Sequence, residues 1–150
     1  MSVLKKIYKY FIRSNNESRY LVIKAFFYCA TVRFLMLFVK YKRYEKRLGK
    51  RGVESTEEIS AEQFELVKKV RNAVLSVSKN TLWESKCMVQ ALSAKWMLEK
   101  YNIPSTIYFG IMKDPKNPSE LKAHAWLKVG EFIATGREGH KSFKVVNFYS

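Results

Sequence analysis

The chain is predicted to adopt an α+β fold, and three observations carry that prediction. Up to Tyr101, apolar side chains recur at helical spacing. From Ser105 onward, β-branched and aromatic residues gather in short runs. Turn-forming residues separate those runs and suit a small antiparallel sheet that follows the helices.

The first helical stretch covers residues 2–14 and ends at Ser14-Asn15-Asn16, whose side chains favour a turn. A second runs over 18–48 and stops at Gly49-Lys50-Arg51-Gly52, and residues 53–59 form a polar linker. Ser60 with Gln63 makes a capping box, after which Phe64, Val67, Val70, Val74 and Val77 line one helix face. The next helix covers Ser85–Tyr101 and ends before Asn102-Ile103-Pro104. Ser85 reads as its N-cap, which puts Cys87 in the first turn; a rival box, Thr81 with Glu84, would put it in the second. Strands are predicted at Ser105–Met112, Leu121–Val129, Phe132–Gly136 and Phe143–Tyr149. Residues 114–119 form a loop with two prolines, and Gly130-Glu131 makes a tight hairpin connection. The chain thus divides into a helical segment over 1–52 and a core over 60–150.

Charge is unevenly placed along its 150 residues. The net charge is +15, and residues 1–52 hold 14 basic residues against Glu17 and Glu45, or +12. Composition narrows the chemistry further. His124, His140, Cys29 and Cys87 lack zinc-type spacing, and Asp114 is the sole aspartate, so metal and paired-aspartate mechanisms are disfavoured. With no glycine-rich phosphate loop either, no cofactor is expected. Two isolated cysteines suit a reducing, cytoplasmic setting.

Tyr20 to Val39 is apolar over about the 20 residues that span a bilayer. Arg33 near its middle would cost about 2.5–3.5 kcal/mol to insert. Lys24 lies nine residues earlier, on the opposite helix face. The segment therefore reads as a helix packed on protein, with association at the inner membrane surface as the alternative. Aromatics such as Tyr8, Phe11 and Phe26 fall within apolar helical patterns and read as packing, so no nucleic-acid partner is expected. The rival reading is a basic binding module for anionic lipid or nucleic acid, marked by steeply salt-sensitive binding.

One cysteine and one histidine stand out as chemistry. A thiol attacks a carbonyl as thiolate, a form favoured by a helix N-terminus and a neighbouring imidazolium. Cys87 opens a predicted helix, and His124 shares a strand face with Trp126, which can shield the imidazole from water. Cys29, inside an apolar helical run, reads as core, and His140, beside Gly139 and Lys141, as a solvated loop residue.

Trp83-x-x-x-Cys87-x-x-Gln90-Ala91-Leu92, then Gly110-Ile111-x-Lys113, then Ala123-His124-Ala125-Trp126, and a closing Phe143 to Phe148 form an ordered set. That set resembles the leader peptidases of lasso-peptide biosynthesis, which belong to the transglutaminase-like cysteine peptidases. The length resembles their stand-alone, split form. The resemblance implies a papain/transglutaminase-like core, a Cys-bearing helix packed on the small sheet, with Cys87 as nucleophile and His124 as general base. It also implies an aspartate that orients the imidazole, and this chain has Gly136 at that position. Pairing across the Gly130-Glu131 turn brings 136–138 opposite His124, which makes Glu138 a candidate substitute; a backbone carbonyl is the other. The implied partners are the leader region of a precursor peptide with threonine next to its last residue, a small leader-recognition protein and an ATP-using macrolactam cyclase. Acyl transfer to an amine, as in transglutaminases, is the alternative reaction.

Overall fold

The computed structural model describes residues 15–81, 83 and 86–150. The helix expected over 2–14 lies outside them. Helix α1, Asn16–Phe38, starts at Asn15, whose side chain accepts the backbone N–H of Ser18 at 2.9 Å. Its inner stripe, Leu21, Ala25, Cys29 and Val32, is buried against α3 (Ala61–Asn80) and α4 (Cys87–Glu99).

The expected single helix to residue 48 is broken. Val39 and Lys40 are extended, and the chain resumes as a short helix α2, Tyr41–Tyr44, and a 3-10 turn, Glu45–Leu48. The change of direction buries Tyr44 and Leu48, and sets the Tyr41 hydroxyl 3.1 Å from that of Tyr149. A straight helix would carry these groups past the core, so packing overrides the local helical preference.

Helix α3 carries the predicted capping box in full. Gln63 N–H donates to Ser60 Oγ at 3.1 Å, and Ser60 N–H donates to Gln63 Oε1 at 2.9 Å. Helix α4 is buried on nearly every side, because α1 and α3 cover one flank and the sheet the other. Even Lys95 is buried there, its Nζ donating to the Ser105 carbonyl at 3.3 Å and pairing with Glu99 at 3.1 Å.

The sheet is antiparallel, in the order β3-β2-β1-β4, with β1 Thr106–Lys113, β2 Leu121–Val129, β3 Phe132–Thr135 and β4 Lys144–Tyr149. All four predicted strands form, each within a residue of its expected ends. Alternation along β2 sends Ala125, Leu127 and Val129 into the core beneath α4, and leaves His124, Trp126 and Lys128 on the other face. The outer edge of β4 is not left bare. Lys50 N–H donates to the Ser150 carbonyl at 2.8 Å, and Gly52 N–H to that of Phe148 at 2.9 Å, so the connector after α2 covers that edge.

Candidate active site

Cys87 is the first residue of α4. Lys86, not the expected Ser85, is the N-cap; Ser85 and Glu84 lie outside the described residues. The consequence expected for Cys87 holds all the same, since it stands in the first turn. Lys86 makes no side-chain cap hydrogen bond, and the helical ladder starts with Gln90 N–H donating to the Lys86 carbonyl at 3.1 Å. The N–H groups at the front of α4 therefore have no acceptor within the helix, and the positive end of its dipole lies at Cys87.

Strand β2 delivers the imidazole. Cys87, His124 and Glu138 all line one cavity of about 400 Å³, together with Gln90 and Arg71. Gln90 lies one turn along α4 from Cys87, and its place in the Cys87-x-x-Gln90 spacing is the signal that marks it. Arg71 and Leu75, an i,i+4 pair on α3, were not singled out by the sequence, because only the apolar stripe of that helix was read.

His124 donates its Nε2–H to the backbone carbonyl of Gly136 at 2.7 Å. A carbonyl oxygen only accepts, so Nε2 carries a proton, and in the neutral ring Nδ1 is the nitrogen that holds the lone pair. Gly136 has φ +71°, in the left-handed region, and a Cβ there would collide with the Ala125 carbonyl oxygen and stand 2.8 Å from Trp126 Cβ. The backbone thus closes on β2 where a side chain has no room, and its carbonyl takes the place opposite the imidazole. Glu138 lies on the cavity wall, exposed, and among the described residues no hydrogen bond joins it to His124.

An aromatic row fixes the ring from behind. The imidazole lies 5.0 Å from the Phe143 ring and 5.9 Å from Trp126, which stacks on Tyr108 at 5.6 Å and 6°. Tyr108 stacks in turn on Phe148 at 5.6 Å. Gly110, opposite His124 in the register, makes this row possible, since a Cβ there would stand 2.8 Å from Phe143 Cβ and 3.0 Å from the Trp126 ring. Trp126 is only 5% exposed, and it screens one side of the imidazole as expected.

The other two candidates separate from the site. Cys29 is fully buried in α1, where burial pushes its thiol above the usual range, and it serves the core. His140 lies, as expected, in the connection between β3 and β4, but it is half-buried there. It opens a 3-10 turn, donates from Nδ1 to the Arg137 carbonyl at 2.6 Å and packs its ring 5.7 Å from Trp126. It lines a second cavity, of about 590 Å³, with Tyr108 and Phe132; Arg137 borders both cavities.

A cysteine opening a buried helix and a histidine on the adjoining antiparallel strand form the arrangement of thiol enzymes with a transglutaminase-like core. Comparison with protein families matches residues 30–147 to the transglutaminase-like superfamily, a span that begins within α1 and holds both Cys87 and His124. The chain belongs to that superfamily, whose members usually rely on cysteine-based catalysis and include peptidases and acyltransferases. No curated protein and no solved structure matches it.

Proposed function

We propose that this protein is a cysteine peptidase that removes the leader from a ribosomally made lasso-peptide precursor. The observation that carries the reading is the shared cavity of Cys87 and His124, with the imidazole held in one tautomer by the Gly136 carbonyl. The ordered residues around Cys87, Gly110 and His124 narrow the superfamily to this activity by resemblance.

In this mechanism Nδ1 of His124 takes the Cys87 proton, and the thiolate forms a bond to the last leader carbonyl carbon. Backbone N–H groups at the front of α4, that of Cys87 among them, stabilise the oxyanion. The C–N bond then breaks as His124 returns its proton to the departing amine. Water, deprotonated by the same imidazole, cleaves the thioester and frees the leader as a carboxylic acid. A small leader-recognition protein presents the substrate, and a separate ATP-using cyclase closes the core peptide. This chain works in the cytoplasm.

The test is mass spectrometry of precursor cleavage by the full chain with the leader-recognition protein present. Wild type releases leader and core, whereas Cys87→Ala and His124→Ala lose at least a thousandfold in rate. Undiminished cleavage by Cys87→Ala overturns the reading. Acyl transfer, the second reaction open to the superfamily, would instead give an amide of the leader when a primary amine is added.

A further inference from the structure

We propose that the outward face of α1 rests on an anionic lipid surface, so that the protein works as a peripheral membrane protein. The inner stripe of this helix is committed to the core. Opposite it, Ile23, Phe26, Phe27, Phe34, Leu37 and Phe38 are exposed, with Phe27 at 64% and Phe38 at 72%. At about 100° per residue these six share an arc roughly 120° wide, centred almost diametrically across from Leu21, Ala25, Cys29 and Val32. From Ile23 to Phe38 the ridge runs for about 24 Å along the helix. An unbroken apolar patch of that kind on a folded protein marks an interaction surface.

Charge selects the occupant. On the helical wheel Lys24 borders one side of the apolar arc and Arg33 the other, both half-buried and already engaged within the protein, Lys24 over the Tyr20 and Tyr101 rings. Beyond the end of α1, Lys40, Lys42 and Arg43 are exposed in succession. Cations flanking an apolar helix face complement anionic headgroups over acyl chains. A second copy would bring two cationic rims together in a chain of net charge +15, which opposes self-association through this face. The face is also a convex ridge along one helix, which sinks into a bilayer without a matching groove. Because the inner stripe stays packed on α3 and α4, the helix lies along the surface and does not cross it.

The experiment is flotation of the full chain with vesicles of equal phosphatidylcholine and phosphatidylglycerol, and with phosphatidylcholine alone. The wild type binds the mixed vesicles at least tenfold more tightly than the neutral ones, and 0.5 M salt weakens that binding. Phe27→Ser with Phe38→Ser reduces binding at least tenfold, and Val146→Ser on β4, an exposed apolar control, leaves it unchanged. Circular dichroism checks the fold; should the double variant unfold, Lys40→Glu with Lys42→Glu and Arg43→Glu decides the matter by the same loss. No binding to the mixed vesicles, or binding that the folded variants leave unchanged, overturns the proposal. So does light scattering that finds a dimer dissolved by the serine variant, which would assign the face to a second copy.

Discussion

The imidazole of His124 donates its Nε2–H in a hydrogen bond to the main-chain oxygen of Gly136, 2.7 Å away, at the position where the resemblance implies a carboxylate. The exchange of a side chain for a carbonyl is built into the backbone. Gly136 is left-handed and lies against β2, so the group that orients the base is fixed by the turn itself.

Restoring the acid therefore does not restore a triad. Gly136→Asp is expected to lower kcat/KM at least tenfold, because its Cβ drives the carbonyl away from Nε2. Gly136→Ala is expected to cost about 1–3 kcal/mol of stability, read as a lower urea midpoint, along with a fall in activity. Wild-type activity in Gly136→Asp would contradict the geometry described for this turn.

Glu138 gives the complementary test. With Nε2 already satisfied by a carbonyl, Glu138→Gln is expected to change kcat/KM less than threefold across pH 6–8. A loss greater than tenfold would make that carboxylate the third member of the site.

Gly110→Ala probes the aromatic row. The added methyl would press on Phe143 and Trp126, both in contact with the imidazole, and overpacking of this kind costs about 1–3 kcal/mol. The activity loss is expected to exceed what unfolding explains, and a comparison of kcat/KM with the folded fraction measures the difference.

Glu54 ties the α2–α3 connector to the outer face of the sheet. A hydrogen bond from Tyr108 and the Lys128 ammonium, 3.1 Å away, hold its carboxyl below the usual range. A carboxyl with a depressed folded-state pKa stabilises the fold above its unfolded value, and the contribution is lost as pH falls through the folded one. Urea midpoints are expected to drop for Glu54→Gln at pH 7 and to converge with wild type in acid. A constant gap between them would refute the linkage.

The strands and the α3 start were legible in the sequence because their signals are local. Alternation places β2 at Leu121–Val129 to the residue, and Ser60 with Gln63 specifies both arms of a capping box. The break at Val39 was not legible. The apolar run of α1 continues up to it with no glycine or proline, and the turn is imposed by where Tyr44 and Leu48 pack. At the site, Cys87 and His124 could be named from spacing and resemblance. Gly136 could be named only as a missing acid, because a carbonyl belongs to every residue and leaves no signature. The packing of His140 was not legible for a related reason: Trp126, 5.7 Å from its ring, is distant in sequence.

The stacking of Trp126 beside His124 gives the molecule an optical reporter of its own chemistry. Indole emission responds to what packs against the ring, so a molecule entering the site beside it is expected to register as a change in brightness. With Trp83 and Trp96 replaced by phenylalanine, the emission of Trp126 would report a ligand seated beside His124 in the resting protein, without turnover.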